Sequence, residues 1–399
     1  MSGRVVVVGN SIGGTRVAAE LRSAGFEGQI VMVDPDPAAP YDRPPLSKQV
    51  LLGTWEPERA SLGDPEAQWG VEVRHAAASR LDAAAHRIEL DTGVSVTYDR
   101  LVVASGATPR RLPGPVPAEG VHVLRTMDDC LALRADIARG GPLVVIGGGF
   151  IGAEVAASAR AQGLEVTIVE ALPAPMAHVL GPEVGALVAE LHAEHGVAVR
   201  CGLSVQQLEG RPRVTRVVLS DGTALDADCV ALGIGVVPNT GWVAGSGLKV
   251  DNGLVCDAYC AADPEGSVYA VGDVSRWYDR GAGRHVRVEH WTNATEQART
   301  VAHNIVHPGA RRAHAGLPYF WSDQQGAKIQ LVGHVDPGCG VDIVRGDAKR
   351  RRVAVLYREG DALRAALTVN WPRALAAARG TMVKGGTTAE VHGRLAELG

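Results

Sequence analysis

Two glycine-rich turns carry the residues whose types and spacing could do chemistry. In Gly147-Gly148-Gly149-Phe150-Ile151-Gly152, the first glycine makes a tight turn, Gly149 lets the backbone approach a pyrophosphate, and Gly152 permits close packing of a following helix. The chemistry implied is dinucleotide binding, with the phosphates received by the N–H groups of a helix N-terminus. Glu170 follows roughly 20 residues on, where a carboxylate accepts hydrogen bonds from an adenosine ribose. Its charge repels a 2'-phosphate, and no Arg or Lys occurs between Glu170 and Arg200, so the pattern favours NADH over NADPH. The earlier turn, Gly9-Asn10-Ser11-Ile12-Gly13-Gly14, has serine at the second fingerprint position. Serine is small enough for the same approach, and its hydroxyl can donate to a phosphate oxygen. Asp34, directly after Val33, is the ribose acid that strand geometry favours, and Asp36 in the loop is a second candidate.

Each turn needs a strand before it and a helix after it. Residues 5–8 form a β-branched run, Val17, Ala18 and Leu21 have helical spacing, and residues 30–33 form the next strand. The second copy repeats this with residues 143–146, a helix over about 153–162, and residues 166–169 ending at Glu170. Between the copies, residues 87–91 and 98–103 read as hairpin strands feeding back into the first sheet. The cluster of Pro109, Pro113, Pro115 and Pro117 stiffens a crossover and marks a domain boundary. A comparable return runs from Gly233-Ile234-Gly235 to Pro238, and residues 268–273 form another strand with Asp273 at its carboxyl end. From about Ala315 the pattern changes to short alternating strands, including residues 329–332 and 353–357, then Asn370 and a helical tail.

The segment after Asp36 is more specific than either turn. Pro40-Tyr41-Asp42-Arg43-Pro44-Pro45-Leu46-Ser47-Lys48 resembles the signature of the FAD-dependent ferredoxin reductases that serve bacterial cytochrome monooxygenases and aromatic-ring dioxygenases, and the resemblance covers essentially the whole chain. It implies that Arg43 and Lys48 contact FAD. Ala104-Ser105-Gly106-Ala107 resembles the family's A-T-G-A element, Arg125-Thr126 its flavin-contacting pair, and Gly272-Asp273-Val274 the G-D-V in which the aspartate bonds the ribityl chain. Glu289-His290-Trp291-Thr292-Asn293-Ala294 resembles the segment that lays a Trp on the isoalloxazine and aims a helix N-terminus at the ring. Thr292 or Asn293 is expected to cap that helix, which runs to about Val306. Trp321 resembles a second flavin-side aromatic, and core packing is the bland alternative for each Trp. Lys48 and Glu154 resemble a Lys and Glu pair beside the nicotinamide, although Glu154 could equally be a first-turn helix acid.

The resulting expectation is an α/β chain of two Rossmann-like dinucleotide-binding domains plus a C-terminal α+β domain. Residues 1–108 and 236–314 would bind FAD, residues 109–235 would bind NAD through Gly147, Gly149, Phe150, Ile151, Gly152, Glu154, Glu170 and Gly233 to Gly235, and residues 315–399 would follow. Hydride would pass from NADH to FAD, and single electrons would leave to a [2Fe-2S] ferredoxin, with Lys48, Glu154 and Trp291 at the reacting end. Disulfide reductases of the same architecture carry a redox-active Cys pair early in the chain, whereas this chain has no Cys before Cys130. A quinone reductase or NADH oxidase, and an NADH-sensing protein resembling apoptosis-inducing factor, are the alternatives.

Composition narrows the classes further. Apolar residues at 46% and charged residues at 21% are enough for packed cores, while a net charge of -4 gives no general attraction for nucleic acid or anionic lipid. No stretch of 18 uncharged apolar residues appears, and no secretion signal is read at the N-terminus, so the expected address is cytoplasmic. The six Cys form no C-x-x-C pair and suggest neither a metal site nor a disulfide framework. Cys256 and Cys260 read as small buried hydrophobes. Arg311-Arg312 and Lys349-Arg350-Arg351-Arg352 are basic clusters that could dock an acidic ferredoxin, although solvated loop charge is the default reading. A monomer or weak homodimer is expected.

Overall fold

Residues 3–398 are described by the computed structural model. They form two compact units, the first from residues 3–42, 60–108 and 237–318, the second from residues 43–59, 109–236 and 319–398.

The first unit is built on a five-stranded sheet in the order Val268–Ala270, Arg100–Val103, Arg4–Val8, Gln29–Val33, Glu72–Arg74, parallel throughout. Its central strands are nearly continuous Val and Ile because both faces of a parallel sheet are covered. One face packs on the helices Ile12–Ser23 and Trp291–Val306 through Val17, Leu21, Ala298, Val301 and Ile305. The other carries Leu81, Ile88 and Val96 of a small antiparallel sheet, Ala78–Asp82, Arg87–Leu90 and Ser95–Thr97. Residues 100–103 do return to the first sheet, beside Arg4–Val8.

The second unit repeats the plan with a parallel sheet in the order Ala198–Cys201, Val166–Glu170, Leu143–Ile146, Cys229–Leu232, Val121–His122. It too carries a three-stranded antiparallel sheet, Val205–Glu209, Arg216–Leu219 and Ala224–Asp226. The same unit holds a five-stranded antiparallel sheet in the order Tyr319–Gln324, Ala327–Gly333, Ala362–Val369, Val353–Glu359, Gly340–Arg345, then the helices Pro372–Val383 and Thr388–Leu398. Phe320, Ile329, Leu331, Tyr357 and Leu367 of that sheet share one core with Ala153, Met176, Leu180 and Val188.

Two helix starts differ from the sequence reading. The second nucleotide helix is Phe150–Ala161, beginning three residues before the expected Ala153, because Gly149 is its extended N-cap and the first turn is made by the bulky Phe150 and Ile151. Glu154 is therefore the fifth helical residue, beyond the first turn, and the dipole explanation for its acid fails. The helix Trp291–Val306 starts before Thr292 and Asn293, and His290 occupies the cap position without a side-chain cap hydrogen bond. Thr292 and Asn293 lie inside the first turn, so neither caps the helix.

Candidate functional site

The two glycine turns have the same hydrogen-bonding skeleton. Gly9 N–H donates to Val33 O at 2.8 Å, and Gly147 N–H donates to Val169 O at 2.8 Å. Each first glycine has a positive φ, +116° at Gly9 and +99° at Gly147, and a Cβ there would meet Ala104 O at 2.2 Å or Gly233 O at 2.4 Å. Each last glycine lets the helix lie against its own turn, since a Cβ would fall 1.9 Å from Gly9 O at Gly14 and 2.1 Å from Gly147 O at Gly152. The strand-end acids behave alike too. Asp34 accepts from Asn10 N at 2.6 Å and Asp36 N at 2.9 Å; Glu170 accepts from Gly148 N at 2.7 Å and Leu172 N at 2.8 Å. Asp34 is thus the structural equivalent of Glu170, while Asp36 accepts from Ala38 N and from the Tyr41 hydroxyl.

Gly149 is different in kind. A Cβ there meets no protein atom nearer than Gly233 O at 3.8 Å, so nothing in the chain itself requires glycine. The open space lies where the backbone of the fingerprint approaches a pyrophosphate.

Within the first unit, the other predicted flavin residues converge on the N-terminus of Trp291–Val306. Gly272–Val274 is a single 3-10 turn whose Gly272 N–H donates to Gln297 Oε1 at 2.8 Å, tying the Asp273 turn to that helix. A Cβ on Gly13 would lie 3.3 Å from Val271 and 4.0 Å from Ala294, so the starts of two helices meet at the same turn. Both present their positive ends there. Trp291 is half-buried, and its indole N–H donates to Asp42 Oδ1 at 2.7 Å. Glu289 pairs with Arg287 at 2.8 Å. The loop of Ala104, Ser105 and Gly106 is clamped by Asn239, which accepts at its carbonyl from Ser105 Oγ at 2.9 Å and donates from Nδ2 to Ser105 O at 2.8 Å. Asp42, Asn239 and Gln297 escaped the sequence reading.

Within the second unit, Arg43 Nε donates to Arg125 O at 3.2 Å, bringing the two predicted flavin arginines together. Thr126 caps the helix Met127–Ile137 in a capping box with Asp129. Lys48 Nζ lies 2.7 Å from Glu154 Oε2, and the pair is buried, at 11% and 3% side-chain exposure. Ser47 Oγ donates to the same oxygen, Ser322 Oγ donates to Oε1 at 2.7 Å, and Asp323 N–H reaches Oε1 at 3.3 Å. Glu154 thereby joins residues 44–48, its own helix and the strand Tyr319–Gln324. Trp321 occupies the half-exposed face of that strand, stacked with Tyr319 at 6.2 Å, whereas Trp277 and Trp371 are the fully buried tryptophans. Gly233 N–H donates to Ile146 O at 2.7 Å, which fixes the return of Gly233, Ile234 and Gly235 beside the second turn.

Residues 3–298 match the family model described as pyridine nucleotide-disulphide oxidoreductase, and residues 319–392 match the model described as reductase C-terminal. Rhodocoxin reductase of Rhodococcus erythropolis is 38% identical, over 94% of this chain and 88% of that protein. The ferredoxin–NAD(+) reductase component of the anthranilate 1,2-dioxygenase system of Burkholderia cepacia is 36% identical, over 95% of this chain and 94% of its own length. The crystal structure of the ferredoxin reductase for the CYP199A2 system from Rhodopseudomonas palustris superposes with a TM-score of 0.91 at 33% identity, covering 96% of this chain and 95% of that one. The chain belongs to the pyridine nucleotide-disulphide oxidoreductase family.

This oxidoreductase uses FAD and NADH. Its residues fit both groups. Asn10 and Asn293, at 8% and 4% exposure, each keep a buried polar side-chain atom, Oδ1 and Nδ2, without a protein partner at the first turn and at the start of Trp291–Val306. Unpaired buried amides are costly, and a bound nucleotide offers both donors and acceptors. Thiol chemistry, by contrast, has no support in the structure. All six cysteines are unpaired, burial pushes Cys130 up to about 11 and Cys229 up to about 12, and Cys256 and Cys260 are raised further by burial. His122, Asp136 and Cys229 lie close enough to hold a metal, but Arg213 forks onto both Asp136 oxygens at 3.0 Å and takes the place of a cation. Burial works against ionisation of Asp136, yet the hydrogen bonds from Arg213 and His122 outweigh it and hold the carboxyl below its ordinary range.

Proposed function

We propose that the chain takes electrons from NADH and delivers them singly to a [2Fe-2S] ferredoxin that supplies a monooxygenase or dioxygenase. The observation that carries this reading is the state of the cysteines: the chain has no Cys before Cys130, Cys130, Cys229, Cys256 and Cys260 are buried thiols whose pKa burial raises, and no two cysteines form a disulfide, so no redox-active dithiol is in place to pass electrons. Electrons would then leave from bound FAD, and relatives matching more than nine-tenths of the chain are named as ferredoxin–NAD(+) reductase components.

Bound FAD would supply a centre that accepts a hydride equivalent and releases electrons one at a time. The first turn with Ser11, Asp34, Ala104 to Gly106, Asp273 and Trp291, together with Arg43, Lys48, Arg125 and Trp321, would hold it. The second turn would hold NADH, with Glu170 excluding a 2'-phosphate by charge. Lys48 and Glu154 would position the nicotinamide end through a fixed local charge pair, and no general base is required. Asp42 would keep the Trp291 ring in one orientation through the indole N–H. Residues 1–108 with 236–314, residues 109–235 and residues 315–399 would be the flavin, nicotinamide and C-terminal domains. The protein would work in the cytoplasm as a monomer or weak homodimer.

The test is NADH-driven cytochrome reduction with and without an added [2Fe-2S] ferredoxin. Strong stimulation by the ferredoxin is the expected result; rapid turnover with a quinone or oxygen alone, unaffected by any ferredoxin, would replace this reading with that of an oxidase or quinone reductase.

A further inference from the structure

Strand Tyr319–Gln324 alternates buried and half-exposed residues, and its buried face carries Phe320, Ser322 and Gln324. Two polar residues on a core face call for partners, and both have them. Ser322 Oγ donates to Glu154 Oε1 at 2.7 Å, Gln324 Nε2 donates to Ser322 Oγ at 2.9 Å, and Gln324 Oε1 lies 3.1 Å from His192 Nε2. His192, on the helix Pro182–Glu194, is fully buried, and its Nδ1 is 3.3 Å from Gln325 Nε2.

The direction of every donor in this chain is forced from one end. An ionised Glu154 only accepts, so Ser322 gives it its one hydrogen; Ser322 must then accept from the Gln324 amide, whose oxygen is left to accept from His192. His192 is consequently the neutral Nε2–H tautomer, with Nδ1 free to accept from Gln325. Burial also lowers the His192 pKa, which keeps the ring neutral. An independent sign points the same way. Gln325 and Gly326 form the two-residue hairpin turn, both at positive φ, +50° and +71°, where Asn, Asp or Gly is preferred. Gln325 occupies a strained position, and the longer side chain is what reaches His192.

We propose that His192 is a positioning residue for the Lys48–Glu154 pair: it fixes the Gln324 amide, which fixes the Ser322 hydroxyl on Glu154 Oε1 and leaves Oε2 to Lys48 and Ser47. The proposal rests on the reading that this pair serves the nicotinamide end. Lys48 is the charged partner of Glu154, Asp323 of the adjoining strand pairs with Lys328 at 3.2 Å, and His195, the C-cap of the helix that carries His192, is its titratable neighbour.

The experiment uses the FAD-loaded protein and four substitutions, His192→Phe, His192→Leu, His192→Gln and Glu154→Gln. Flavin reduction by NADH is followed between about pH 5 and 8, the range in which shifted side chains titrate. His192→Phe lets the Gln324 amide turn over and Ser322 stops donating to Glu154 Oε1, so the charged carboxylate loses a hydrogen bond; the rate should fall several-fold toward the acid end of the range and recover at high pH. His192→Gln, which can still donate to Gln324, should restore most of the wild-type profile, and His192→Leu should reproduce His192→Phe if the latter does not fold. Histidine-selective nitrogen NMR of the same protein supplies a readout apart from turnover, and should show His192 as the neutral Nε2–H form. A wild-type-like pH profile in His192→Phe, or an Nδ1–H or charged His192, overturns the proposal. Glu154→Gln separates the two layers: slow reduction at every pH with a flat His192→Phe profile sinks only the role of His192, whereas normal reduction in Glu154→Gln sinks the role of the pair and the proposal with it.

Discussion

The two nucleotide turns are copies in their backbone and strangers in their side chains. Their first and last glycines meet the same kinds of carbonyl, and their strand-end acids hold the same N–H groups. One helical turn further on the likeness ends. Arg16, the counterpart of Glu154, is half-exposed and pairs with Glu20 on its own helix at 2.9 Å. Glu154 is buried and gathers three segments of the second unit. The first helix instead crosses a second helix through the small contacts of Gly13 and Ala294. A phosphate cradle can be duplicated whole because it is made of backbone, while the roles of the two copies diverge at the residues that follow.

The largest expected effect sets these counterparts against each other. Lys48→Met leaves Glu154 buried without its cation and should cost about 3–5 kcal/mol, less whatever the remaining donors of Ser47, Ser322 and Asp323 recover. Arg16→Met breaks a half-exposed i,i+4 pair on a helix and should cost about 1 kcal/mol or less. Urea titrations of the two variants measure both, and equal losses would break the contrast. Next come the glycines that the copies share. Gly9→Ala and Gly147→Ala each combine a positive φ with a Cβ near 2.2 or 2.4 Å from a carbonyl oxygen, and each should lose about 2–5 kcal/mol. If one proves harmless, the two turns are less alike than their backbones indicate.

Buried histidines extend the contrast to pH. His192 has hydrogen-bond partners at both ring nitrogens, whereas His314 in the first unit packs edge-on against Trp277 with Thr300 Oγ1 at 3.4 Å. Burial pushes His314 down from 6.5 to about 4. A depressed histidine is neutral in the folded protein, so stability is intact above the unfolded pKa and falls as pH drops from 6.5 toward about 4, where the folded form finally takes its proton. The loss is on the order of 3 kcal/mol. His314→Phe should flatten that acid limb in melting curves taken across the range; an unchanged limb would assign it to other groups.

How much of this was legible in the sequence follows from how local each feature is. The strands Arg4–Val8 and Leu143–Ile146 announce themselves as β-branched runs, and the turns as glycines, because both signals are contained within a few residues. The helix starts were misjudged where the local signal is missing: neither Gly149 nor His290 makes a side-chain cap bond, and Phe150 and Trp291 are not residues that mark a first turn. Lys48 and Glu154 were paired only through family resemblance. Their other partner Ser322, and likewise Asn239, Gln297 and Asp42, lie far along the chain from the groups they hold. Ser, Asn and Gln are common surface residues, so nothing in their type marks them as buried anchors.

The smallest effect discriminates most sharply between what the fold needs and what the ligand needs. Gly149→Ala adds a methyl group that comes no closer than 3.8 Å to the protein. The fold should notice only the exchange of a good cap residue for a poor one, about 1 kcal/mol or less. A pyrophosphate approaching the same backbone would meet the methyl group directly, so the KM for NADH should rise by about tenfold, equivalent to about 1.4 kcal/mol, with FAD content unchanged. At the matching position of the first turn the chain already carries Ser11, and Ser11→Gly should not improve FAD retention if the serine hydroxyl serves the phosphate there. Tighter FAD binding in Ser11→Gly would mean that serine only obstructs; an unaltered KM in Gly149→Ala would mean that the second turn does not carry the nicotinamide nucleotide.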